Sequence, residues 1–145
     1  MNLTPAKNRQ IQVVLRWSIV AVGLLTYNLV HLFSYINDVV RAVRHSSISS
    51  VEVVDSSAMW GFSIFFALFL MPALLSLRSG KVSAALGGLI GGALVGIYTA
   101  VGIYHGVHDG GGYLALVAIV AVMIPGGIAI ASSWGLCVSA GAYGE

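Results

Sequence analysis

The sequence contains very few charged residues. It has seven Lys or Arg and five Asp or Glu, so 8% of its 145 residues are charged, whereas soluble domains carry roughly 25%. Hydrophobic residues make up 58% of the chain, and a water-soluble protein of this size cannot bury that much apolar surface. The composition therefore excludes a water-soluble protein and indicates an integral membrane protein.

Cysteine and histidine are also scarce. The single Cys137 lacks a second thiol, which excludes an intrachain disulfide and redox carriers that use a thiol pair. Four histidines are fewer than the histidine-rich motifs of membrane di-iron oxygenases require. The small net positive charge of +2 suits an anionic lipid surface but is too sparse for nucleic-acid binding.

Four long stretches contain no Asp, Glu, Lys or Arg. They run from Arg16 to Asp38, from Asp55 to Arg78, from Lys81 to Asp109 and from Asp109 to Glu145. Each can hold the roughly 20 residues that cross a bilayer as a helix, and hydrocarbon requires the backbone to satisfy its own hydrogen bonds. We expect a single all-α membrane domain over residues 1–145. Its four transmembrane helices, at about 17–37, 58–77, 82–105 and 113–134, should form an up-down bundle.

The N-terminal segment has two interpretations. Lys7, Arg9 and Arg16 precede an apolar run, as in a secretory signal peptide. The run is longer than the roughly 7 to 15 residues of a signal, and the following "INDVVRAVRHSS" offers no convincing small-x-small cleavage site. The sequence favours an uncleaved first span.

Positive charges favour a topology with both termini in the cytoplasm. Three basic residues precede the first span, the short second loop "LRSGK" carries two more, and the third loop carries only Asp109. Cytoplasmic segments are the ones enriched in Lys and Arg, although the first loop contains both signs of charge. The predicted location is the plasma membrane, of the bacterial inner-membrane type.

Glycines dominate the third span, and a proline interrupts the fourth. The glycines are Gly87, Gly88, Gly91, Gly92 and Gly96. Small residues four apart let two helix backbones approach closely, so we expect this helix at the centre of the bundle. It could also contact another chain, in a homo-oligomer or a larger membrane complex. Pro125 predicts a kink in the fourth span.

Polar residues line one face of the first span and one face of the third. The stripes are Tyr27, His31, Ser34, Tyr35 and Asp38, and Tyr98, Gly102, His105 and Asp109. Polar groups facing lipid are costly, so both stripes should face other helices. If Asp38 is level with His105, His31 is level with Tyr98. This alignment predicts an intramembrane polar pair of His31 and Tyr98.

The segment "YHGVHDGGGY" has three interpretations. A divalent transition metal could be held by His105, His108, Asp109 and Asp38, because histidines three apart share a helix face and carboxylates complete an N and O ligand set. The favoured alternative is an ordinary helix end, where glycine terminates the helix and basic residues offset its dipole. The third is pH sensing. A b-type haem between His31 and His105 is disfavoured, because the alignment separates the two in depth.

The sequence predicts only a general class of function. No arrangement typical of a catalytic nucleophile and no phosphate-binding glycine loop is recognisable. We therefore expect a small membrane protein that serves as an accessory or assembly component of a membrane system, without cofactor or enzyme chemistry of its own. The alternative is a transporter or a redox-linked membrane protein that uses the His and Asp residues.

Overall fold

The described part of the chain is helical. The computed structural model describes residues 4–44, 56–78, 81–108 and 112–142, and these ranges contain no strand. The helices are α1 (Pro5–Arg44), α2 (Ser56–Leu77), α3 (Lys81–His108) and α4, which joins Gly112–Val117, a π-helical segment at Ala118–Met123, and Ile124–Ala142. The predicted all-α class is confirmed.

Three helical segments are long and apolar enough to cross a membrane. They are Lys7–Arg44, Val82–His108 and Gly112–Val138, and α2 contributes the shorter apolar stretch Ser63–Leu77. This finding supports a multi-pass membrane protein.

The helices extend beyond the spans expected from the charge pattern. α1 has 40 residues and is about 60 Å long at 1.5 Å per residue, whereas a hydrocarbon core is only about 30 Å thick. Charged side chains are excluded from hydrocarbon, but a helix can continue past its surface because its backbone bonds are internal. A charge-free run therefore marks the stretch suited to a membrane and not the ends of the helix.

Each helix packs against its neighbours in the chain, and α4 also packs against α1. α1 contacts α2 and α4, and α3 contacts the same two helices. The shared core includes Trp17, Leu24, Tyr27, Phe69, Leu94, Tyr98, Leu114 and Val122. α1 and α3 meet through side chains that reach across this core.

Side-chain hydrogen bonds join α1 to α2 and to α4. Gln10 Nε2 donates to the carbonyl oxygens of Ser76 and Leu77, at 3.0 and 2.7 Å. These carbonyls belong to the last turn of α2, which has no helical partners for them. Further along α1, the hydroxyl oxygens of Ser34 and Tyr113 are 2.5 Å apart. The first turns of α1 thus lie beside the end of α2, and Ser34 lies beside the start of α4.

Pro125 shapes the middle of α4. Proline has no N–H, and its ring clashes with the carbonyl four residues earlier, here Ala121. The helix widens immediately before Pro125 into the π-helical segment Ala118–Met123, and the N–H of Ile124 bonds to Ile119 O. The sequence predicted a kink at Pro125, and the structure shows this π-helical segment beside it.

The widened segment approaches α1 at a glycine. A Cβ atom placed on Gly23 would lie 1.7 Å from the carbonyl oxygen of Ala121 and 2.7 Å from its carbonyl carbon. No side chain fits at that distance, so only glycine permits the contact. Gly23 therefore determines how closely α1 and α4 pack.

Candidate functional site

A cluster of aromatic and polar side chains lies where α1, α2 and α3 meet. We call Tyr27, Asn28, His31, Tyr98 and His105 the histidine cluster. Tyr27 is buried, and its ring stacks with His31 at a centroid distance of 6.1 Å and meets Tyr98 edge-on at 5.1 Å. The cluster thus combines buried rings with two imidazoles.

Tyr98 anchors the buried side of this cluster. Its hydroxyl donates to Asn28 Oδ1 at 2.7 Å, and Asn28 Nδ2 donates to Leu24 O at 2.7 Å. The rings of Phe65 and Phe69 on α2 each lie 5.7 Å from the Tyr98 ring. Because a hydroxyl in an apolar surrounding needs a partner, the bond to Asn28 holds Tyr98 in place.

Asn28 did not emerge from the sequence as a site residue, nor did the two phenylalanines of α2. The sequence contained a signal for Asn28, since it lies three residues before His31 and shares its helix face. Phe65 and Phe69 lie in a uniformly apolar helix, where the sequence does not distinguish a core position from a lipid-facing one.

The two histidines of the cluster lie close together. The ring centroids of His31 and His105 are 5.7 Å apart, His31 is exposed, and His105 is half-buried. Two imidazole nitrogens that each lie about 2.0–2.1 Å from one metal ion bring the ring centroids to roughly 5 to 6 Å. The spacing therefore suits either a shared metal ion or a proton passed between the rings.

This arrangement differs from the depth alignment expected from the sequence. We expected His31 to be level with Tyr98 and Asp38 with His105. In the structure Tyr98 bonds to Asn28, one helical turn before His31, and the ring of His31 lies beside His105. The alignment uses Asp38 as a mark of membrane depth, but α1 continues past this residue to Arg44. The difference in depth that disfavoured a pair of His31 and His105 is therefore not present in the structure.

The other proposed metal ligands are arranged differently. Asp38 and His108 are exposed, and Asp109 lies outside the described residues. His108 Nδ1 is 3.0 Å from Tyr104 O, and the two rings stack at 4.1 Å. Within the described residues, no three His, Cys, Asp or Glu side chains group closely enough for a metal ion. The bond from His108 to the last turn of α3 fits the helix-end interpretation.

The glycines of α3 differ in what surrounds them. A Cβ on Gly91 would lie 2.0 Å from the Trp17 ring. A Cβ on Gly87 would lie 3.2 Å from Pro72 O, and a Cβ on Gly88 would lie 3.2 Å from Ser133 Cβ. Gly92 has only ordinary contact with Ile130 at 3.5 Å, and no atom lies within 4 Å of a Cβ on Gly96. Three of the five predicted positions therefore hold close contacts inside the molecule.

Other close glycine contacts were not foreseen. A Cβ on Gly102 would lie 2.6 Å from Ala118, and a Cβ on Gly106 would lie 2.5 Å from Ala115. On α4, a Cβ on Gly126 would lie 2.6 Å from Val95. Gly102 and Gly106 repeat the four-residue spacing, so the sequence did contain a signal for them. Together they bring α3 and α4 into close backbone contact.

A second group of polar contacts joins α1 to α4. The indole N–H of Trp17 donates to Ser133 Oγ at 3.0 Å, and both residues are buried. Beside them, Arg16 Nη1 donates to Ser132 Oγ. These bonds satisfy polar groups between helices and fix the direction of the Arg16 side chain.

Comparison of the chain with protein-family models, curated proteins and solved structures finds no significant match.

Proposed function

We propose that this protein is a four-span membrane protein with both termini in the cytoplasm, and that it serves as an accessory or assembly component of a membrane system. Two contacts support the up-down arrangement: Gln10 bonds to the last turn of α2, and Ser34 bonds to Tyr113 near the start of α4. Short connections between α2, α3 and α4 are typical of antiparallel neighbours.

Cysteine labelling tests the topology. In a Cys137→Ser background, we expect an impermeant maleimide to label Ser47→Cys and Gly111→Cys from outside the cell. Ser79→Cys should react only after permeabilisation. The reverse pattern would overturn the orientation, and labelling of Ser47→Cys and Ser79→Cys from the same side would show that α2 does not cross the membrane.

The observation that carries the assembly function is a strip of small residues on the exposed surface of α4. Gly127, Ala131 and Gly135 are exposed at four-residue intervals, and no atom lies within 4 Å of a Cβ on Gly127. Gly96 is exposed on α3, directly after Val95, which packs on Gly126. Since helices associate in lipid where small residues let backbones approach, this surface suits a transmembrane helix of a partner chain.

Enlarging the strip tests this function. Gly127→Ile combined with Ala131→Ile should shift the protein from a larger complex to the single chain on native electrophoresis after mild detergent extraction, because the new side chains keep a partner helix at a distance. Leu116→Ile, on an exposed position of the same helix, is the matched control and should leave migration unchanged. A wild-type protein that migrates as a single chain would refute the assembly role.

The spacing of His31 and His105 favours a second candidate function, metal-dependent transport or redox chemistry. In that case purified protein should bind Zn²⁺ or Cu²⁺ with a stoichiometry near one, and His105→Ala should abolish binding. His108→Ala, whose ring stacks on Tyr104, is the control that should retain it. Equal metal binding by His105→Ala and the wild type would exclude a site at this pair.

A further inference from the structure

A cavity with a mixed polar and apolar lining lies between the first turns of α1 and the last turns of α4. Its volume is about 270 Å³, and the polar residues Arg9, Gln12, Arg16 and Ser132 line it beside the apolar Val13 and Leu136. Pockets for drug-sized ligands occupy roughly 300 to 1,000 Å³, so this cavity suits a small polar group better than a large molecule. We call it the arginine cavity.

Arg16 is oriented toward α4 within this cavity. Arg16 is half-buried and its guanidinium donates to Ser132 Oγ, and the Ser132 hydroxyl in turn donates to Ile128 O at 2.5 Å. The bond to Ser132 uses one of the five N–H donors of an arginine. Two donors of a guanidinium form a planar fork that matches two oxygens of a phosphate group. Arg16 is therefore well suited to bind such an anion.

The wall of the arginine cavity carries net positive charge. Arg9 precedes Arg16 by seven residues on α1 and lies about 10 Å along the same face. Asp38 is the single acidic residue within the described ranges. It lies about 33 Å from Arg16 along α1. An anion in the cavity would be attracted by both arginines and repelled by no described carboxylate.

An exposed tryptophan indicates the depth of the cavity. Trp134 lies two residues after Ser132, and 67% of its surface is exposed. Exposed tryptophans of membrane proteins concentrate at the level of the lipid headgroups, and arginine extends its charged end to the same level. The cavity therefore lies at the depth where lipid phosphates are found.

We propose that the arginine cavity binds the phosphate group of an anionic membrane lipid, with Arg16 as the bidentate ligand and Arg9 as the second cation. This site shares Gly135 with the small-residue strip proposed to contact a partner helix, whereas Gly127 and Ala131 do not line the cavity. The ligand chemistry is a phosphate ester, and the anion comes from the lipid and not from free phosphate.

Lipid-dependent thermal unfolding of the purified full chain tests the site. Phosphatidylglycerol added to detergent micelles should raise the Tm in a saturable way, because a ligand that binds only the folded state stabilises it. Phosphatidylcholine and inorganic phosphate should not. Arg9→Gln, an exposed position, should raise the half-saturating lipid fraction roughly tenfold, as expected for the loss of a charge-assisted hydrogen bond.

Two further variants separate a built site from general charge attraction. Arg78→Gln removes an exposed positive charge that does not line the cavity, and it should leave the lipid response near that of the wild type. Arg16→Lys keeps the charge but loses the planar fork, so it should weaken the response while the protein still folds. An equal loss in Arg78→Gln and Arg9→Gln, or an unchanged response in Arg16→Lys, would overturn the proposal. A comparable increase with inorganic phosphate would overturn the lipid assignment.

Discussion

Replacing Gly23 by alanine should separate α1 from α4. The new Cβ would lie 1.7 Å from Ala121 O and 2.7 Å from its carbonyl carbon, and both are backbone atoms that cannot rotate away. Relief requires the helices to move apart by roughly 1.5 Å, and a gap of 0.5 to 1 Å already forfeits about a quarter to a half of each van der Waals attraction. The fully buried Val20, Leu24 and Val122 beside this contact would lose packing.

The change in the free energy of unfolding caused by Gly23→Ala combines two opposing contributions. Overpacking in a close-packed interior costs typically about 1 to 3 kcal/mol and sometimes more, and backbone atoms place Gly23→Ala at the upper end of that range. Alanine regains about 1 kcal/mol through its higher helix propensity. We therefore expect Gly23→Ala to lower the free energy of unfolding by about 2 kcal/mol.

Unfolding by sodium dodecyl sulfate in mixed micelles, followed by circular dichroism, measures this loss. Gly96→Ala is the matched control, because open space surrounds that position; it should be neutral or slightly stabilising. Pro125→Ala restores an N–H that Ala121 O can accept in a regular α-helix, so the double variant should recover part of the stability. Equal stability of Gly23→Ala and Gly96→Ala would show that the contact between Gly23 and Ala121 O does not limit how closely α1 and α4 pack.

Three further changes test contacts within the core. Gly91→Ala should lower stability by about 1 to 3 kcal/mol and shift the tryptophan fluorescence, because its Cβ would lie 2.0 Å from the Trp17 ring. Tyr98→Phe removes the bond to Asn28 and should cost about 0.6 kcal/mol, the average for hydrogen bonds between membrane helices; unchanged stability would show that Asn28 finds another partner. Thr99 Oγ1 is buried without a hydrogen-bond partner among the described residues. Thr99→Val should therefore raise the stability in the same assay by about 1 kcal/mol, and a loss would contradict that assignment.

The close contact at Gly23 also shows why a mutational scan based on glycine spacing alone would be misleading. Gly92 belongs to the repeating glycines of α3, yet a Cβ there meets only Ile130, at 3.5 Å. Gly23 has no glycine four residues away and allows the closest approach described for any glycine. The spacing of small residues identifies helices that can pack closely, but the facing atoms decide which positions do.

The helical class of this protein and the approximate position of each helix follow from its sequence. Long stretches without charge suit hydrocarbon, where a backbone must satisfy its own hydrogen bonds, and helices do so without a partner chain. The sequence also placed polar residues on common faces, because residues three or four apart share a side of a helix, and Tyr27 and His31 stack at that spacing. The expectation that the polar stripe of α1 faces other helices holds for Tyr27, which is buried, whereas His31, Tyr35 and Asp38 are exposed.

The side chains that meet between helices depend on tertiary packing, which the sequence does not reveal. Counting along one helix gives relative depth within that helix, but the offset between two helices depends on their packing. The Trp17 ring fills the space over Gly91, and the carbonyl of Ala121 lies against Gly23. The resulting offset brings His31 beside His105 and Tyr98 to Asn28. Such offsets arise from contacts between residues far apart in the chain, which no local pattern of residues contains.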